Sequence, residues 1–159
     1  MGQVTRTNFG LTKTRVLTNA EIINLPLTGI EIVPAIANSI LVPVSVGCFL
    51  DWSVDYASID ANASIRIGDV LAFCQLVEDT FTSVSDLLAA GEDAFAIIPP
   101  TLNTGGAGGI ATGVSLRSQF LVNHPLKIFA DNGVTGIFTG GDAATSMTVT
   151  IYYNVFPVA

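Results

Sequence analysis

Charge is scarce in this sequence. Lys, Arg, Asp and Glu supply 12% of its 159 residues, against about a quarter in an average globular chain. Histidine occurs once, as His124, which argues against metal chemistry built on several imidazoles. There are two cysteines, Cys48 and Cys74, 26 positions apart in apolar strand-like runs. With neither CxxC nor metal-ligand spacing, they read as buried, reduced thiols. No apolar run reaches the roughly 20 residues of a membrane helix. The longest, Ile40–Leu50, is interrupted by Pro43, Ser45 and Gly47. The opening MGQVTRTNFGLTKTR has no apolar stretch of signal-peptide type, and Arg6 stands where myristoylation prefers Ser or Thr. These features predict a chain made in the cytoplasm, with no membrane partner.

Apolar surface, by contrast, is abundant. Half the residues are hydrophobic and the mean hydropathy is +0.60. A domain of this size leaves about 30% of its unfolded-chain surface in water, so apolar patches must emerge unless another subunit covers them. An oligomer is the simplest expectation. The few charges are also unevenly spread. Residues 1–19 carry Arg6, Lys13 and Arg15 with no acid, whereas residues 20–159 hold all 13 acids against Arg66, Arg117 and Lys127. The division expected is an extended basic arm over 1–19 and a single acidic domain over 20–159. Arg6, Lys13 and Arg15 are then the candidates for docking on an acidic neighbour. Three cations are too few for nucleic acid, and an acidic body repels phosphate.

Period-two alternation is the strongest structural signal. From Ile40 to Tyr56 every even position is apolar, while Ser45, Asp51, Ser53 and Asp55 fall at odd ones. This predicts a long strand with one buried face, bent or bulged near Gly47 and irregular or at an edge near Pro43. Trp52 falls on the apolar face as a core aromatic. Met147, Val149, Ile151, Tyr153 and Val155 repeat the pattern, and the opposite phase of that strand ends in Tyr152 and Phe156. Shorter strands are expected at 21–25, 30–33, 64–73, 95–98, 116–122 and 126–131, separated by turns such as Thr28-Gly29, Gly68-Asp69 and Gly140-Gly141-Asp142. One short helix is expected near 83–90, started by Ser83 and stopped by Gly91. Pro99-Pro100 and Gly105–Gly109 suggest a long connection. About eight short strands predict an all-β, two-sheet antiparallel sandwich of jelly-roll type.

No catalytic constellation accompanies this fold. His124 stands beside Pro125 without a nucleophile elbow. The glycine run 105–109 lacks the Lys-Ser/Thr that a phosphate loop needs. The acidic pairs Glu78-Asp79 and Glu92-Asp93, and Asp131-Asn132-Gly133, lack calcium-loop spacing. The expectation is a protein without enzymatic activity, cofactor or metal.

The layout resembles a family. A Thr-rich arm leads into EIINLPLTGIEIVPA (21–35), then the alternating SILVPVSVGCFLDWSVDY (39–56), then NHPLKIFADNG (123–133) and a closing TVTIYYNVF (148–156). This resembles small phage virion proteins that decorate or cement the capsid as jelly-roll, tumour-necrosis-factor-like trimers. The resemblance implies a homotrimer on the capsid surface, bound to the shell of major capsid protein. It further implies that Phe129, Tyr152 and Phe156 face neighbouring copies while the basic arm reaches the shell. The alternative within the virion is a tail, fibre-base or receptor-binding module of similar fold. A cupin-type small-molecule or enzymatic jelly roll is disfavoured by the single histidine.

Overall fold

The computed structural model describes residues 10–68, 72–77, 83–98, 122–133 and 136–158, with the backbone alone for 72–77. Among these described residues, ten strands and two short helices run in the order β1 (Leu11–Thr18), α1 (Asn19–Ile23), β2 (Ile30–Val33), β3 (Ser39–Asp51), β4 (Tyr56–Ala57), β5 (Ser64–Gly68), β6 (Ala72–Val77), α2 (Val84–Leu88), β7 (Ala94–Ile98), β8 (Leu126–Asp131), β9 (Thr139–Gly140) and β10 (Ser146–Pro157). Sheet A has the order β1-β10-β3-β7, sheet B the order β2-β8-β5-β6, and β4 pairs separately with β9. All these pairings are antiparallel. The chain passes between the two sheets at most connections, and among the described strands only β5 and β6 are successive neighbours. That wrapping is the double Greek key of a jelly roll, as the turn spacing predicted.

The core forms where period-two side chains from the sheets meet. Leu17, Val46, Cys48, Leu50, Met147, Val149 and Ile151 from sheet A, with Ile65, Ile67, Leu126 and Ile128 from sheet B, are fully buried or nearly so. From Ser146 to Tyr153, β10 lies between β1 and β3. Its inward Met147, Val149, Ile151 and Tyr153 are therefore enclosed from both sides.

The long alternation does not keep one phase. Ser39, Leu41 and Pro43 point inward at the start of β3, whereas Val46, Cys48 and Leu50 do so at its end. The switch is a β-bulge: Tyr152 pairs with Ser45 and Tyr153 with Pro43, which leaves Val44 as the extra residue. An inserted residue exchanges the two faces of a strand. The irregularity thus lies at Val44, beside the proline and ahead of Gly47. Pro43 precedes the stretch Val46–Leu50 where β7 joins β3. β3 also stops at Asp51, short of Tyr56.

Four other expectations are corrected. Residues 21–25 do not form a strand. Thr18 and Glu21 make a capping box, and Asn19–Ile23 is a helix, the second beside the expected one. The T-x-x-E signature of that box is present in the sequence. The segment 64–73 is two strands, with Ile67 opposite Cys74 and Gly68 opposite Ala72. Trp52 packs against the core but lies beyond β3 and is only half-buried, its indole N–H donating to Asp55 Oδ1 at 2.8 Å. The stretch expected as an arm contains β1, paired along β10 from Leu11–Tyr153 to Thr18–Ser146. The expected helix near 83–90 is present as α2, capped by Ser83 and Asp86. The glycine run 105–109 and residues 116–121 lie outside the described residues.

Candidate interaction face

Two outward faces bound the sandwich, and they differ in chemistry. The outer side of sheet B is charged. Arg66 sits opposite Phe129, Lys127 opposite Glu31, and the Arg66 guanidinium reaches Asp131 at 3.2 Å. The outer side of sheet A carries hydroxyls and apolar groups instead. β1 presents Thr12, Thr14, Val16 and Thr18. β10 presents Ser146, Thr148, Thr150, Tyr152, Asn154 and Phe156. β3 contributes Ile40, Val42, Ser45, Gly47 and Phe49, and β7 adds Phe95 and Ile97. Asp51, at the rim beside Ser146, is the one charged side chain in the outward phase of these four strands.

Several of these apolar groups stand in solvent. Phe95 is 60% exposed, Ile97 62%, Val16 58%, Phe156 51% and Tyr152 46%. The cross-strand register makes them one surface. Val16, Thr148, Phe49 and Phe95 form one row, and Thr14, Thr150, Gly47 and Ile97 the next. The Thr14 and Thr150 hydroxyls are 3.0 Å apart. Gly47 makes room for the Phe95 ring, which lies 3.3 Å from where a Cβ would stand. Beyond Thr150 the surface dips into a depression of about 340 Å³ lined by Gly10, Thr12, Val44, Ser45 and Tyr152. The bulge at Val44 bends the strand at this point.

The structure divides the residues expected at an oligomer interface. Tyr152 and Phe156 share the outer face of sheet A. Phe129 lies on the outer face of sheet B, half-buried among charged neighbours. Sheets pack about 10 Å apart, so Phe129 cannot share a flat contact with the other two. Phe49, Phe95, Ile97 and Val16 belong to the face and were missed. The unbroken apolar run 94–98 was a signal for Phe95 and Ile97, but with both phases apolar, which one faced outward depended on the partner strand.

The basic residues separate in the same way. Arg15 is engaged within the chain, donating from Nη2 to Glu21 Oε1 and from Nη1 to the Glu31 carbonyl, both at 2.6 Å. It ties β1 to α1 and β2. Glu21 is held below its ordinary carboxylate range first by the Thr18 backbone N–H, with further help from the Thr18 hydroxyl and Arg15. Lys13 is exposed on β1, and Arg6 lies outside the described residues.

No family model, curated protein or solved structure matches this chain. The reading therefore rests on the face itself and on the groups around it. Among the described residues, no helix is long and apolar enough to cross a membrane, and no three His, Cys, Asp or Glu side chains gather as a metal group. His124 is half-buried in the turn that precedes β8. Asp142 accepts from the Ser53 hydroxyl at 2.9 Å and from the Ala144 and Thr145 N–H groups. Those bonds hold its carboxyl low and fix the turn into β10.

Cys48 is fully buried between β10 and β7, and burial pushes its thiol up to about 12. At pH 8 the thiolate fraction is then about one in ten thousand, and the thiolate is the reactive form. Folded protein treated with iodoacetamide at pH 8 is expected to remain unmodified at Cys48 by peptide mass spectrometry. Full labelling is expected after denaturation.

Proposed function

We propose that this chain is a structural virion protein that decorates and cements a phage capsid as a homotrimer on the shell surface. Its work is mechanical: it bridges neighbouring shell subunits and adds contacts that resist their separation. The observation that carries the reading is the outer face of sheet A. In a chain of net charge -7, four adjacent strands present an outward surface with one rim carboxylate and several exposed aromatic and aliphatic groups. Water is a poor neighbour for such a surface, and another protein surface is a good one. The capsid setting comes from the sequence layout, which resembles decoration proteins, and the jelly-roll wrapping is consistent with it. The partners proposed are further copies of the chain and the major capsid protein shell, and the location is the capsid surface.

Light scattering on the purified chain at micromolar concentration is expected to give about 50 kDa, three times 16.6 kDa. A monomer would sink the homotrimer. Co-sedimentation should show binding to assembled shells and little binding to free shell subunits. Deleting residues 1–9 removes Arg6 while leaving β1 in sheet A, and it is expected to weaken shell binding without lowering the melting temperature. Unchanged binding would take the docking role away from Arg6.

A further inference from the structure

The outer face of sheet A is not uniform. At its β7 edge stands a ledge, Phe95 and Ile97, each about three-fifths exposed. On its other half lies the depression of about 340 Å³ lined by Gly10, Thr12, Val44, Ser45 and Tyr152. We propose that the ledge of one copy seats in the depression of the next, so that the two halves of this face form a heterologous contact between copies of the chain. This deepens the homotrimer reading above and rests on it.

Size, charge and hydrogen bonding favour a second copy as the occupant. A cavity of about 150 Å³ accepts benzene, so the depression has room for the Phe95 ring and much of Ile97. Ledge and depression carry no ionised group, whereas the whole chain carries 13 acids against 6 bases. Two copies meeting here bring no carboxylate against another, which contacts through the acidic remainder of the surface would do. The hydroxyls of Thr12, Ser45 and Tyr152 can donate or accept. They therefore suit the backbone of β7, which among the described strands of sheet A has β3 alone beside it.

The geometry also bears on symmetry. A contact between one patch and itself gives a twofold dimer, whereas a contact between two different patches makes a ring when the rotation closes. Ledge and depression are different patches, and a ring of three closes through them where the twist of the sheet turns the two away from one another. The face then turns toward the symmetry axis, and the charged outer side of sheet B toward solvent or shell.

Two single variants and their mixture test this. Phe95→Asp removes the ledge and leaves the depression, while Ser45→Trp fills the depression and leaves the ledge. Both positions lie on the outer face, and circular dichroism checks folding. Ile97→Asp and Thr12→Trp replace either variant that fails the check. Sedimentation velocity is expected to show each variant alone as a monomer. An equimolar mixture is expected to form a dimer of about 33 kDa, twice 16.6 kDa, because one intact ledge meets one intact depression. Trimers that survive both substitutions would overturn the inference while sparing the homotrimer. If such trimers also lost shell binding, the face would belong to the shell. A mixture as monomeric as its components would overturn it as well. A wild-type chain that is monomeric would overturn the homotrimer reading itself.

Discussion

Replacing Ile151 with Ala is expected to lower unfolding stability by about 2–5 kcal/mol, while Thr148→Ala, three residues earlier on the same strand, changes it by about 0.5 kcal/mol or less. Both residues lie in β10, flanked by β1 and β3. Ile151 faces inward with no exposed surface, between Lys13 on β1 and Val46 on β3. Truncation removes buried methyl groups and leaves a cavity that a strand held on both sides cannot close. Thr148 faces out, beside Val16 and Phe49, and its loss opens no cavity. Against a typical domain stability of about 5–15 kcal/mol, the first change consumes a large fraction of the total. Urea unfolding at one fixed chain concentration reads it, since association would otherwise shift both midpoints. Equal effects at the two positions would mean that the inward and outward phases of β10 are wrong.

That contrast shows why the fold was legible and the face only partly so. Alternation in 146–157 has one phase throughout, and the sequence assigned it correctly: Met147, Val149 and Ile151 are inside. In 39–51 the same reading failed halfway: Pro43 marked an irregularity, but nothing in the residue pattern told that an inserted Val44 exchanges the two faces. Every even position stays apolar there, yet Ile40 and Val42 point out while Val46 and Cys48 point in. Helix α1 was missed because its apolar residues are too few to separate a period of 3.6 from one of two. Phe129 was grouped with Tyr152 and Phe156 because an aromatic residue in a strand carries no label for its sheet. Strand order decides that, and it comes from pairings distant in sequence, such as β1 with β10. The neutral face is likewise a property of register: Thr14, Thr150, Gly47 and Ile97 form one row only after four segments align.

The turn that introduces β10 was readable as Gly140-Gly141-Asp142, but the demand on its second glycine comes from packing. Gly141→Ala is expected to cost about 2–5 kcal/mol, whereas Gly91→Ala costs about 1–2 kcal/mol. Both glycines lie in the left-handed region, Gly141 at φ +62 and Gly91 at φ +74, so the backbone penalty of adding a side chain is similar. Their surroundings differ. A Cβ on Gly91 meets nothing within 4 Å, while one on Gly141 falls onto Asn19 Oδ1 and within 2.7 Å of two Tyr56 ring atoms. Tyr56 is almost fully buried and donates its hydroxyl to Asn19 Oδ1 at 2.6 Å. The added methyl must therefore displace either the bond that joins β4 to the first residue of α1 or a core aromatic. Overpacking of that kind costs about 1–3 kcal/mol beyond the backbone term. Thermal unfolding of the two variants, compared at equal concentration, separates packing from conformation. Similar losses in both would show that the Asn19–Tyr56 bond yields freely. A larger loss at Gly141 would make this bond a fixed corner from which β10, and with it the neutral face, is positioned.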